Sequence, residues 1–160
     1  MSENASFQPS REHEWLNGMV GTWDVECAYF TIPGEEPIEI EGREVAEIMG
    51  PFWLLGRFEA DMMGTPLAGQ SVTGYDPVKK LFIGTWKDNF TPFHYTYEGT
   101  LSEDEKTLVL EGENYDPTRQ CMSIYRNRTE YLHDSERIMA LSVDVDGSEV
   151  PILEYRYKRK

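Results

Sequence analysis

Apolar and polar side chains alternate along most of the chain after residue 20. In Ile38-Glu39-Ile40-Glu41, for example, every second side chain is apolar, which is the period of a strand with one buried face. Aromatic and β-branched residues, which favour strands, are frequent in the same segments. No segment after residue 20 has a helical period. The pattern predicts an all-β region over residues 22–158.

Turn signals divide this region at intervals of roughly ten residues. Each contains Pro, Gly, Asn, Asp or Ser, the residues that favour chain reversal. The nine signals are Pro33–Pro37, Met49–Pro51, Met63–Pro66, Tyr75–Lys80, Asp88–Pro92, Ser102–Lys106, Tyr115–Arg119, His133–Ser135 and Asp146–Gly147. Nine turns separate ten strands, and their even spacing predicts successive hairpins in an up-and-down meander.

Glycines inside the predicted strands indicate that this sheet closes on itself. Six consecutive strands contain one each, at Gly42, Gly56, Gly69, Gly84, Gly99 and Gly112. A glycine within a strand marks a bend, a bulge or a close backbone approach. One in each strand is what a curling sheet needs, so we expect a closed antiparallel barrel of about ten strands.

The N-terminal segment differs from the rest of the chain. Residues 1–8 are polar and are expected to fray. Residues 10–18 predict a short helix, with Ser10 as its cap and Glu12 and Glu14 near its positive end. A helix this short is not stable alone, so we expect it to plug one end of the barrel. Residues 1–160 are then expected to form a single domain.

Composition and charge exclude several classes of partner. Fifteen Lys and Arg against 29 Asp and Glu give a formal net charge of −14, which disfavours nucleic acid and anionic membranes. There is no long apolar run and no secretory signal pattern, so a cytoplasmic location is expected. Two cysteines and three widely spaced histidines suggest no disulfide framework, metal site or haem ligand. We therefore expect no metal and no cofactor.

The sequence around the first strand resembles a known group of barrels. A short helix followed by Gly21-Thr22-Trp23 is similar to the calycins, the lipocalin and fatty-acid-binding-protein group. More closely, the chain resembles the lipocalin-like family of unknown function DUF1579. The matching stretches are His13–Val25, Gly50–Lys80, Gly84–Asn89, Leu110–Pro117 and Glu154–Lys160. The resemblance implies a barrel of about ten strands and no established reaction. It also implies that Arg159 or Arg156 packs across the indole of Trp23 at the closed end.

Strand alternation assigns side chains to the barrel interior, because residues i and i+2 share a face. A barrel of ten strands is wider than one of eight, so a cavity is expected. The candidate ligand-binding residues on the inward face are Tyr29, Glu44, Phe58, Trp86, Tyr95, Tyr97, Tyr125, Asn127 and Tyr155. The same alternation places Cys27 and Cys121 inside. It leaves Arg57 as half of an exposed pair or, alternatively, as an inward anchor for an anion.

Glu44 is the one acidic residue that the alternation places inside. A carboxylate in an apolar cavity has its pKa raised by desolvation, or it needs a partner such as Tyr or Arg. Glu44 could then anchor a ligand or act as a general base. The alternative is that a bulge near Gly42 turns Glu44 outward to join the other acidic side chains.

These features favour a binding module that holds a small, largely apolar ligand. One alternative is an isomerase, cyclase or lyase on the same scaffold, with Glu44, His94 or a Tyr as acid or base. Another is a structural protein that dimerises through exposed aromatic strand faces. A homodimer is compatible with all three hypotheses. The sequence contains no nucleophile elbow, phosphate loop or dinucleotide fingerprint that would name a reaction.

Overall fold

The computed structural model describes residues 7–160, so most of the segment expected to fray lies outside the described residues. The described residues form one short helix and ten strands. The helix α1 spans Arg11–Leu16 and continues as a 3₁₀ turn at Asn17–Met19. The strands are β1 Gly21–Tyr29, β2 Ile38–Met49, β3 Trp53–Met62, β4 Thr65–Asp76, β5 Leu81–Asp88, β6 Tyr95–Leu101, β7 Thr107–Asp116, β8 Cys121–His133, β9 Glu136–Val145 and β10 Ser148–Arg159.

The sheet closes into a barrel. Each strand pairs antiparallel with the next along the chain, and β10 pairs back with β1 from Trp23 opposite Arg159 to Tyr29 opposite Leu153. The predicted all-β, closed up-and-down barrel of ten strands with a short N-terminal helix is confirmed. Its bounds differ by one residue from those expected at each end of the helix and of the barrel.

The alternation along β1 shows how the sequence determines which face of a strand is buried. Trp23, Val25 and Cys27 are buried, whereas Asp24 and Glu26 between them are exposed. Burying a large apolar side chain contributes about 1.5–3 kcal/mol, so a one-residue slip of the strand would be costly. Register shifts occur at Pro151–Leu153 in β10 and Tyr131–His133 in β8. Between each shift and the middle of its strand the alternation holds, with Leu153, Tyr155 and Tyr157 of β10 and Asn127 and Thr129 of β8 all lining the cavity inside the barrel.

The helix covers one end of the barrel. The indole N–H of Trp15 donates to the carbonyl of Glu105 (2.7 Å), and His13 Nε2 donates to the carbonyl of Tyr75 (3.1 Å). Leu16 and Met19 are buried in the same apolar cluster as Phe82. The turns after β2, β4, β6 and β8 lie at this closed end, and the loops after β1, β5, β7 and β9 surround the opposite opening, which we call the mouth.

The structure corrects the expected position of Cys121 and decides between the two positions considered for Arg57. Cys121 has the interior parity of β8 but is exposed, so the expectation that it faces inward is wrong. Cys121 is the first residue of its strand, next to the turn after β7, where an inward parity does not ensure that a side chain is buried. Arg57 is also exposed, on the outer face of β3, which excludes it as an interior anchor.

Candidate functional site

A cavity of about 240 Å³ occupies the barrel interior, and we call it the lumen cavity. A wider space of about 670 Å³, the mouth cavity, lies beside it under the loop after β1. Tyr29, Trp86 and Tyr97 line both spaces, so the two adjoin. The lumen cavity lies between two apolar clusters, one around Leu16 and one around Trp23.

The structure places all nine candidate residues on the walls of these two spaces. Those at the lumen cavity are Tyr29, Glu44, Phe58, Trp86, Tyr97, Asn127 and Tyr155. Those at the mouth cavity are Tyr29, Trp86, Tyr95, Tyr97 and Tyr125. Their shared location follows from strand alternation, while their role in binding a ligand stays a prediction.

Glu44 faces the interior and forms an ion pair that sequence reasoning missed. Arg137 Nη2 donates to Glu44 Oε2 at 2.7 Å, and the two residues are 3% and 8% exposed. Glu44 is on β2 and Arg137 is on β9, with β1 and β10 between them. Arg137 therefore crosses two strands to reach its partner.

The guanidinium of Arg137 crosses those strands over two aromatic rings. Its Cζ lies 4.4 Å from the ring centroid of Trp23 and 3.9 Å from that of Tyr157. Both rings are buried, and a desolvated cation–π contact contributes about 2 kcal/mol or more. The rings replace part of the hydration that the cation loses in the interior. They also hold the guanidinium in one orientation.

Trp23 has a second cation beside it at the closed end. The Cζ of Arg159 lies 4.1 Å from its ring centroid, and the Arg159 side chain donates to the carbonyls of Val20 and Gly18. Of the two arginines that the family resemblance implied, Arg159 is the one over the indole, because Arg156 pairs with Glu136 instead. Through these contacts Arg159 joins the end of the helical segment to β10.

The buried position of Glu44 affects its own pKa and that of the neighbouring Tyr157. Burial raises the pKa of Glu44, and the charge and hydrogen bond of Arg137 oppose this effect. Burial also raises the pKa of Tyr157 well above its ordinary value, and the negative charge of Glu44 raises it further. Tyr157 therefore stays neutral beside the ion pair.

A strand glycine provides the space for the Glu44 carboxylate. A Cβ atom at Gly56 would lie 2.5 Å from Glu44 Oε1 and 2.5 Å from Ser71 Oγ. The ring of Trp86 likewise occupies the space that a side chain at Gly69 would need. In the sequence, these glycines indicated barrel closure. The structure adds a second reason, because they admit the side chains that shape the lumen cavity.

Aromatic rings form part of the wall of the lumen cavity. Phe58 stacks on Tyr155 with ring centroids 5.0 Å apart and an interplanar angle of 17°. The hydroxyl groups of Tyr155 and Tyr29 are hydrogen-bonded to each other, and burial raises the pKa of Tyr29 to about 12. The indole N–H of Trp86 donates to Asp88 Oδ2 at 2.9 Å, which fixes the ring. The wall is therefore apolar, with neutral hydroxyl groups.

A buried carboxylate lies at the mouth as well. Burial alone would raise the pKa of Asp116, but hydrogen bonds from the Arg119 side chain and from the backbone N–H groups of Arg119 and Thr118 outweigh it and lower the pKa. The sequence analysis did not place Asp116 in the site. These bonds also stabilise the turn after β7.

Arg137 could have been found from the sequence. It has the same parity in β9 as the apolar residues Met139 and Leu141, and all three line the lumen cavity. An arginine at the start of a strand is usually read as exposed because long charged side chains are rarely buried without a partner. Glu44, the interior acid on β2, was the signal that such a partner exists.

Within residues 7–160 no group of three or more His, Cys, Asp and Glu side chains could hold a metal ion. His94 and His133 are exposed, so neither is placed to ligate a haem iron inside the barrel. No helix in this part of the chain has the length and apolarity needed to cross a membrane.

Together, the closed ten-stranded sheet, the helix across one end and the lined lumen define a lipocalin-like antiparallel β-barrel with an internal cavity. The chain belongs to the DUF1579 family, described as a protein of unknown function, whose family model matches residues 8–159. This confirms the resemblance seen in the sequence. Comparison with the curated proteins finds no match.

Solved structures with the same fold share little sequence with this chain. Rv2717c from M. tuberculosis has a TM-score of 0.66 and 15% identity, over 96% of this chain and 99% of that one. The S-type phycobiliprotein lyase CPES from Guillardia theta has a TM-score of 0.65 and 14% identity, over 95% and 98%. EF1p2_mFAP2b bound to DFHBI has a TM-score of 0.50 and 12% identity, over 93% and 99%. At these identities the similarity establishes the fold alone.

Proposed function

We propose that this barrel binds one small, largely apolar molecule in the lumen cavity. The observation that carries the proposal is the cavity of about 240 Å³, with an aromatic and aliphatic wall and one buried ion pair at its closed end. Binding sites for small molecules typically combine an apolar lining with a few fixed polar groups. The proposed contacts are the seven candidate residues at the lumen cavity, and Tyr95 and Tyr125 are proposed to contact the part of a ligand that extends into the mouth cavity.

The size of the lumen cavity limits the ligand. An engineered protein cavity of about 150 Å³ lined by Leu, Ile and Phe binds benzene. The larger lumen cavity has space for about two fused rings, with further substituents directed toward the mouth. The fluorophore-bound barrel among the similar structures supports the idea that this fold can hold an aromatic molecule.

Binding is better supported than catalysis. Of the acid–base candidates named from the sequence, His94 is exposed, whereas Glu44 and several tyrosines reach the lumen cavity. Burial raises the pKa of Tyr29, Tyr97 and Tyr155, which keeps these hydroxyl groups neutral. Glu44 accepts a hydrogen bond from Arg137, and this interaction opposes its use as a base.

The proposal is tested by titration with 2-ethylnaphthalene in an isothermal calorimeter. We expect binding of one molecule per chain. Leu110→Trp fills the lumen cavity and should abolish binding, while Val109→Trp puts the same ring on the outer face of β7 and should leave it unchanged. Absence of binding to the unmodified protein, or equal loss in both variants, would contradict the proposal.

A further inference from the structure

Arg137, which lines the closed end of the lumen cavity, has a hydrogen-bond donor without a partner. Nη2 of Arg137 bonds to Glu44, but Nη1 is buried and has no hydrogen-bond partner among the described residues. Arg137 is 3% exposed and lines the lumen cavity. Buried polar groups in folded proteins are nearly always paired. An unpaired guanidinium N–H at a cavity wall therefore marks a position for an acceptor on a bound molecule.

The charges along the cavities indicate what kind of acceptor fits. The charged residues that line the lumen cavity are Glu44, Asp88 and Arg137, so the single positive charge is already balanced by Glu44. A ligand carboxylate would add a second negative charge beside Glu44 in a buried site, at a large desolvation cost. A neutral carbonyl oxygen accepts the same hydrogen bond and adds no charge.

The mouth disfavours an anion as well. Charged residues lining the mouth cavity are Glu35, Asp88, Asp116 and Arg119, three negative groups against one positive group. The whole chain carries a net charge of −14. An anionic ligand would therefore meet unfavourable charge at the mouth and again at the closed end.

We propose that the polar group of the ligand is a neutral carbonyl (a ketone, ester or amide) that accepts a hydrogen bond from Arg137 Nη1. This inference rests on the proposed function and names its ligand class as an aromatic or polycyclic carbonyl compound. Glu44 acts as the internal counter-ion that keeps carboxylic acids out. Trp23 and Tyr157 hold the guanidinium in one orientation, which limits the reorganisation that the donor undergoes when the ligand binds.

Three probes of nearly equal shape test this assignment by isothermal calorimetry at pH 7. They are 2-ethylnaphthalene, 2-acetonaphthone and 2-naphthoate, which carry a methylene group, a neutral carbonyl and a carboxylate at the same position. A hydrogen bond to a charged donor predicts that the ketone binds about tenfold to a hundredfold more tightly than the hydrocarbon. The carboxylate should bind more weakly than the ketone.

The variant Glu44→Gln should reverse the preference for the ketone over the carboxylate. The amide keeps the shape of the side chain but leaves the charge of Arg137 unbalanced. We expect 2-naphthoate to gain at least about tenfold in affinity and to bind more tightly than the ketone. Arg57→Gln removes one charge from the outer face of β3 and should leave all three affinities unchanged.

The outcomes separate the inference from the proposed function. If 2-ethylnaphthalene binds but the ketone binds no better, Arg137 Nη1 is not a ligand donor and the inference is overturned alone. If the unmodified protein prefers 2-naphthoate, the role of Glu44 as counter-ion is wrong. If none of the three probes binds, the proposed function fails together with the inference. The comparison among probes uses the unmodified protein, so it does not depend on the folding of any variant.

Discussion

Replacing Arg137 by Met is the most informative perturbation of this barrel. Methionine keeps much of the length and the apolar stem of the side chain but removes its charge, its hydrogen bond to Glu44 and its contacts with two rings. Glu44, which is 8% exposed, is then left in the interior without its partner. Removing one member of a buried ion pair typically costs about 3–5 kcal/mol of unfolding free energy. We expect a loss of this size at pH 8.

The loss should depend on pH, because Glu44 can be neutralised by a proton. A glutamate in the unfolded chain titrates near 4.5, and burial raises the pKa of Glu44 in the folded protein. Without Arg137 the folded pKa rises further, since the opposing charge is gone. Between the unfolded and folded pKa values the folded state holds more protons, so stability falls as pH rises, by up to about 1.4 kcal/mol per pH unit. The Arg137→Met deficit should therefore be at least about 1 kcal/mol smaller at pH 5 than at pH 8.

Urea unfolding followed by tryptophan fluorescence at pH 5, 6, 7 and 8 measures this deficit. The matched control is the Glu44→Gln and Arg137→Met double variant, which has no buried carboxyl group to titrate. Its stability relative to the unmodified protein should vary much less with pH, and at pH 8 it should exceed that of Arg137→Met alone. An equal deficit for Arg137→Met at pH 5 and pH 8 would refute the reasoning, because the unpaired carboxylate would then not be its cause.

Two further predictions concern the space around Glu44 and the outer surface. Gly56→Ala places a Cβ 2.5 Å from the Glu44 carboxylate, so it should reduce 2-acetonaphthone affinity and unfolding free energy by about 1–3 kcal/mol. Gly84→Ala meets the end of the Leu110 side chain at 3.1 Å and nothing closer, so it serves as the control for stability, although it also lines the lumen cavity. An equal loss of unfolding free energy in the two variants would contradict the steric argument. Arg128 and other partners lower the pKa of Glu149 to about 2, so its stabilising effect is present above about pH 4.5 and is lost as pH falls. Glu149→Gln should cost at most about 1 kcal/mol at pH 7 in thermal unfolding, and a deficit that persists at pH 2 would contradict this account.

The architecture and the cavity-lining residues were accessible from sequence because they depend on local regularities. Turn residues separate the strands, and the period of two tells which side chains share a face. Tyr29, Phe58 and Asn127 were located at the cavity by this rule alone. The rule fails at strand ends, as at Cys121, because parity assigns a face but does not show where the barrel rim lies.

The ion pair was not accessible in the same way. Glu44 and Arg137 lie 93 positions apart on strands that are not neighbours, and their contact depends on the relative heights of four strands around the barrel. Alternation says nothing about these heights. The positions of the loops around the mouth, and with them the size of the mouth cavity, likewise depend on packing between distant segments.

Because the helix covers the closed end, a ligand can enter only through the mouth, and this determines which end of the ligand enters first. The indole of Trp23 donates to the carbonyl of Met19 at 2.9 Å. This hydrogen bond holds the helical segment to the closed end of the barrel, the end at which Arg137 with its unpaired donor lies. A molecule that passes the mouth must therefore lead with its polar group and lose that group's water before gaining the hydrogen bond. Departure reverses this order, and breaking the bond to Arg137 is its first step. We thus expect a carbonyl group to lengthen the residence time of a ligand more than it changes the association rate.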